Sequence, residues 1–218
     1  MKDPVNRRRR DLIIGMLAMP VSGLAAVAES TPPGSEGPFY PTAGMRFADD
    51  DNDLVRIAGV VEQAGGEVVE LGGRVLDRNG NPVSGARVEI WQCDVKGRYL
   101  HRGDSGGGSR DKAFQGFGHD TTGADGRYSF RTIKPVPYPG RTPHIHIAVL
   151  PPGEEPFVTQ LYIAGEERND TDFLYNDIPP DKRHLVTAAF KESTIPGSQQ
   201  QADFDIILNR TDGTPQDS

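Results

Sequence analysis

The sequence predicts an all-β protein, a two-sheet β-sandwich with long loops and one short C-terminal helix. Three observations carry this. With 26 Gly, 18 Pro and only 35% hydrophobic residues in 218, the chain is rich in residues that cost stability inside helices and serve turns. Short β-type runs recur between Gly/Pro/Asn/Asp clusters, the spacing of a sandwich. One stretch alone, DKRHLVTAAFKE (181–192), sets Leu185, Ala188 and Ala189 at helical spacing with no breaker inside.

Taken in order, residues 1–28 read as an export signal outside the fold. MKDPVNRRRR is basic, LIIGMLAMPVSGLAAVA is apolar and interrupted by Pro20, and Ala26-Val27-Ala28 has the form of a cleavage site. Arg9-Arg10 followed by Asp11-Leu12-Ile13 has the layout of a twin-arginine signal, which predicts an exported, periplasmic protein made as a cytoplasmic precursor. The run is short for a membrane span, and the signal lacks the cysteine of a lipoprotein, so no stable membrane anchor is expected. Residues 29–70 form an irregular N-terminal segment, 71–210 the sandwich, and 211–218 a loose tail.

Within the sandwich, LGGRVLD and GARVEIWQCD flank the turn cluster RNGNP and read as a hairpin. GDSGGGSRDK (103–112) is a flexible loop, and FQGFGHDTTGADG is turn-rich. GRYSFRTI, PHIHIAVL, PFVTQLYIA and FDIILNR are the remaining strands.

The formal charge is −7, and falls to −10 once Lys2 and Arg7 to Arg10 leave with Asp3 and Asp11, so nucleic acid is excluded as a partner. The single cysteine, Cys93, allows neither an intrachain disulfide nor a thiolate-rich zinc site, and with Trp91 it is read as packing.

The first half of the sandwich suggests no chemistry. GRVLDRNGNPVSGARVEIW with TTGADGRYSF resembles the carboxypeptidase-regulatory-like modules, non-catalytic binding domains of exported proteins, in which turns and core alternation explain the whole pattern. That reading leaves Tyr99, Tyr138, Arg141, His144 and His146 unexplained. His144 and His146 alternate in an extended run and so share one strand face. Tyr138 lies six residues before His144 in a Pro-Tyr-Pro frame that keeps its backbone extended, and Tyr99 follows the first strands in GRYLH.

Two imidazoles and two phenols make an N2O2 donor set. A phenol with an ordinary pKa near 10 binds metal at neutral pH only if the ion displaces its proton, which favours a hard trivalent cation. Zinc and soft copper sites draw on other ligands. One mononuclear non-haem Fe(III) per chain is the best match. His101, His119 and His184 have no such partners in the sequence and are read as non-ligands.

Over SEGPFYP (35–41), GARVEIWQCDVKGRYLH, GRYSFRTIKPVPYPGRTPHIHI, VTQLYIAG and FDIILNR, the chain resembles the intradiol ring-cleavage dioxygenases, in particular the protocatechuate 3,4-dioxygenase subunits. The resemblance implies a prealbumin-like sandwich with Tyr99, Tyr138, His144 and His146 as ligands of ferric iron. It implies that Arg141 and Gln160 line the substrate pocket, with Tyr138 the ligand displaced by substrate and Arg141 stabilising charge on the ring. It further implies a catechol-type diol and O2 as substrates, cleaved between the hydroxyls to a cis,cis-muconate-type diacid. Partnership with copies of itself or with a related second subunit is left open. Residues 29–70 are too short and broken for the helical N-terminal region of the catechol and hydroxyquinol enzymes. The loop GDSGGGSR (103–110) follows Tyr99 near where substrate is expected to enter.

Overall fold

The computed structural model describes residues 27–211; most of the expected export signal, residues 1–26, and residues 212–218 lie outside them. Ten strands form two five-stranded sheets. In the first, β1 (Val68–Leu76) is central. It pairs antiparallel with β4 (Arg127–Ile133) on one edge. On the other it pairs parallel with β9 (Gln200–Asp203) and β10 (Ile206–Ile207), and β8 (Lys191–Glu192) lies outside β9. The second sheet runs β3 (Phe117–Thr121), β2 (Arg87–Trp91), β5 (His144–Leu150), β6 (Phe157–Ile163), β7 (Thr187–Ala188). Between the sheets, Leu71, Val75 and Phe130 meet Val88, Ile90, Ile145, Ile147, Val149 and Leu161 in one apolar cluster.

Two expectations are corrected. The strands flanking RNGNP do not form a hairpin, because β1 and β2 belong to different sheets. Asp77 accepts hydrogen bonds from the Asn79 and Asn81 amides at 2.8 Å, and the turn so fixed carries the chain from one layer to the other. The helix expected over 181–192 is a 3-10 helix at Pro180–Val186 that gives way to β7 and β8. Thr187 and Ala188 complete the edge beside Tyr162 and Ile163, and the Ala164 amide donates to the Ala188 carbonyl. Edge pairing outweighs a modest helical preference in a segment that includes β-branched Val186 and Thr187. The short α-helix, α1, lies earlier, at Phe173–Asn176.

Every residue of β5 from His144 to Val149 is buried, so both faces of the second sheet are covered. The irregular N-terminal segment covers the outer face. The Gly34 amide donates to the Val158 carbonyl and Thr159 Oγ1 to the Pro32 carbonyl, both at 2.9 Å. Tyr40 Oη donates to buried Glu89 at 2.5 Å and packs edge-on against Trp91. This strap, residues 32–40, turns an outer sheet face into an interior.

Candidate active site

The site is built on cross-strand rows. Strand alternation sends Ile145, Ile147 and Val149 into the sandwich core and leaves His144 and His146 on the strap side. Trp91, His146 and Gln160 lie opposite one another on β2, β5 and β6, with His144 opposite Tyr162. Residues so paired share a face, and register therefore fixes which side chains meet. Trp91 lies flat on His146, centroids 4.8 Å apart at 11°.

The four expected ligands come together. His144 Nε2 is 3.2 Å from His146 Nε2 and 3.4 Å from Tyr99 Oη. The Tyr138 ring is 5.4 Å from that of Tyr99 and 5.6 Å from that of His144, centroid to centroid. Tyr138 is delivered by a turn, Tyr138-Pro139-Gly140-Arg141, in which the Arg141 amide donates to the Tyr138 carbonyl at 2.9 Å. Proline second and glycine third, the latter at φ +82°, is the pattern of a type II turn. Phe39 of the strap stacks on Tyr99 at 5.0 Å and stands edge-on to Tyr138. Strap residue Gly37 runs so close to His146 that a Cβ there would meet its Cε1 at 3.3 Å.

Burial governs the protonation states. It pushes His144 down to about 4, helped by the Arg141 charge, and holds His146 well below its ordinary value. The same cause raises Tyr99 well above 10 and raises Tyr138, at which Arg141 opposes the shift. His144 Nδ1 faces the Thr142 carbonyl at 2.6 Å. A carbonyl only accepts, so Nδ1 carries the proton and Nε2 presents a lone pair to the cluster. Neutral imidazole lone pairs and the Tyr99 phenol meeting at 3.2–3.4 Å suit a shared cation, since donors bonded to one ion at about 2.1 Å stand about that far apart. His146 Nδ1 is buried with no hydrogen-bond partner.

Arg141 and Gln160 also reach the site, joined to each other. Arg141 Nη2 donates to Gln160 Oε1 at 2.7 Å, and Gln160 Nε2 donates to the Ser35 carbonyl of the strap at 2.7 Å. Tyr138, Arg141 and Asp172 line an open cleft of about 360 Å³ with Pro137 and Arg168. His101, His119 and His184 stay outside the donor cluster: His101 lies beside Phe39, His119 faces the Asp50 carbonyl, and His184 is exposed.

Sequence reasoning missed Asp172 and Tyr162. Tyr162 Oη donates to Gln160 Oε1 at 2.9 Å, and its place two residues after Gln160 on one strand was a usable signal. Asp172 caps α1 and accepts from Arg141 Nε and the Thr142 amide, each at 2.8 Å. Burial would raise its carboxyl, but these bonds and that from the Tyr175 amide outweigh it and hold it below the ordinary value. No local motif announces it.

Residues 35–210 match the family described as Dioxygenase. The chain is 36% identical to the protocatechuate 3,4-dioxygenase beta chain of Burkholderia cepacia, over 76% of this chain and 74% of that one. It is 30% identical to the hydroxyquinol 1,2-dioxygenase of Nocardioides simplex, over 93% and 75%. Among solved structures, the dioxygenase domain of a dioxygenase carbohydrate-binding protein fusion from Streptomyces sp. SirexAA-E superposes with a TM-score of 0.62 at 31% identity, over 84% of this chain and all of that one. An intradiol ring-cleavage dioxygenase from Tetranychus urticae, at 21% identity and a TM-score of 0.63, shares the fold. With these matches spanning the strap, both sheets and the donor cluster, the chain belongs to the intradiol ring-cleavage dioxygenases and is an oxidoreductase.

Proposed function

We propose that the protein cleaves a catechol-type aromatic diol between its hydroxyls with O2, giving a cis,cis-muconate-type diacid that retains both oxygen atoms. The observation that carries this is the convergence of two neutral imidazoles and two phenols, His144, His146, Tyr99 and Tyr138, beside the Arg141 guanidinium. In this reading the four hold one ferric ion. When bound, the ion supplies Lewis acidity that draws electron density from the diol and favours reaction of the ring with O2.

The chain's own residues do the rest. Tyr138 is half-buried and lines the cleft, whereas Tyr99 is 4% exposed under Phe39. Tyr138 Oη, once an ion has displaced its own proton, would therefore be the site that accepts one from an incoming diol, and Tyr99 would stay in place. Arg141, always charged, stabilises negative charge on the ring from a fixed position. Gln160 and Tyr162 hold Arg141 on the face opposite the Asp172 tether. The strap keeps water from the imidazoles.

The test is direct. Purified protein reconstituted with ferric iron should show a tyrosinate charge-transfer band and about one iron per chain, and convert catechols to muconate-type diacids. Colourless protein, or semialdehyde products, sinks the reading. Light scattering of the isolated chain decides whether a second copy or a related subunit is needed, a question raised by the beta-chain name of the Burkholderia relative.

A further inference from the structure

Resting on the ferric-site reading, we infer that Asp104, in the Gly/Ser loop 103–110, is a positioning residue for Tyr99. The histidines sit on β5 and are placed by strand register, His146 between β2 and β6 and His144 against β6. Tyr99 has no such support. It belongs to the long connection between β2 and β3, outside any strand. Its ring packs on Phe39, but ring packing does not fix the backbone from which the phenol projects.

The loop supplies what is missing. Asp104 Oδ2 accepts the Tyr99 amide at 2.7 Å, and its Oδ1 accepts the Gly106 amide at 3.0 Å, so one carboxylate bridges Tyr99 to the loop. Arg98 Nε lies 3.3 Å from Oδ2, and Arg98 Nη2 donates to the Asp104 carbonyl at 2.7 Å. The two side chains are only 13% and 10% exposed, so solvent screens the pair little. Asp94, fully buried, repeats the device one residue earlier: its Oδ1 accepts the Arg98 amide at 3.0 Å, and its Oδ2 accepts the Asp111 amide beyond the far end of the loop. Consecutive amides, 98 and 99, thus hang from two carboxylates, Asp94 and Asp104, on either side of them in the chain. Gly106 serves close packing, since a Cβ there would stand 2.4 Å from Arg98 Nη1. The loop that follows Tyr99 is thus a clamp on its backbone. A ligand atom displaced by even a fraction of an ångström loses metal affinity, so the clamp belongs to the site although it touches no substrate.

The experiment compares Asp104→Ala, Asp104→Asn and the parent by two readouts. In metal-free protein, hydrogen exchange at the Tyr99 amide should quicken at least ten-fold in Asp104→Ala, while β5 amides keep parent protection. In ferric protein, chelator competition should show affinity lowered about ten-fold or more, the scale for lost outer support of a ligand, with a shifted tyrosinate band. Asp104→Asn, whose amide oxygen still accepts from Tyr99 but whose NH2 cannot accept from Gly106, should fall between the parent and Asp104→Ala in both. Parent-like exchange and iron affinity in Asp104→Ala overturn the inference. A parent that binds no ferric iron overturns the ferric reading and, with it, any role for Asp104 in positioning a ligand; faster Tyr99 exchange would then record a backbone tether alone.

Discussion

Arg141 and Asp172 form a buried ion pair, Nε to Oδ2 at 2.8 Å, whose side chains are 7% and 0% exposed. The pair aims the rest of the guanidinium at Gln160 and Tyr138, so Asp172 acts on the cleft through Arg141. The two ends are not equivalent. Removing Arg141 leaves Asp172 with the Thr142 and Tyr175 amides, whereas removing Asp172 strands a buried cation.

Arg141→Ala should therefore fold, bind iron and keep its colour, while turnover falls about 10²-fold or more, the scale for losing one charge-stabilising group. Arg141→Lys should not rescue it, because one ammonium cannot reproduce a fork shared among Asp172, Gln160 and Tyr162. Parent-like turnover in Arg141→Ala would show that the guanidinium has no part in the reaction.

Asp172→Ala should cost about 3 kcal/mol, the scale for orphaning one member of a buried pair, and Asp172→Asn distinctly less. Urea unfolding of both variants checks the order. A sharper sign is that Asp172→Asn should lower kcat while leaving iron content unchanged.

Tyr99→Phe and Tyr138→Phe should differ. Tyr99 is enclosed and clamped, so its loss should bleach the visible band and reduce iron retention most. Tyr138 faces the cleft, so Tyr138→Phe should retain iron with a shifted band and slow turnover. Absorption spectra and iron analysis on matched preparations decide it.

The buried histidines also set an acid limit for the metal-free protein. His144 is neutral down to about 4 when folded but titrates near 6.5 when unfolded. The unfolded state then binds more protons between these values, so stability is complete above pH 6.5 and declines as pH falls toward 4. His144→Gln should flatten that decline in urea midpoints measured from pH 7 to pH 4. An unchanged slope would assign the acid sensitivity to other groups.

Export is tested at Arg9 and Arg10, outside the described residues. Replacing both with lysine should strand the precursor in the cytoplasm, read by fractionation. Unimpaired export would refute the twin-arginine route.

The histidine pair was legible because strand alternation is a local rule: two apart means one face, whatever the rest of the chain does. Tyr138 stood out through its Pro-Tyr-Pro frame and Arg141 only through the family resemblance; the turn that joins them was not foreseen, although proline and glycine write it into the sequence. What failed depended on distant pairing. RNGNP looks the same whether the next strand returns to its neighbour or crosses to the other layer, and the edge contact that extends Thr187 and Ala188 comes from Tyr162 and Ile163. Asp172 was invisible for the same reason, its partner lying a whole strand pair earlier. Nothing in the composition of the strap shows that it roofs the site.

The strap also dictates an order of assembly. Residues 32–40 leave the ribosome long before β5 and β6, the strands they cover, and β1 waits still longer for β9 and β10 near the end of the chain. Closing such large loops is slow, and the early segments stay unpartnered meanwhile. The donor cluster therefore cannot mature progressively during synthesis. Its backing is completed only when nearly the whole chain is out, so a nascent chain stalled before residue 200 would hold all four donors yet lack β9 and β10, the parallel partners of β1.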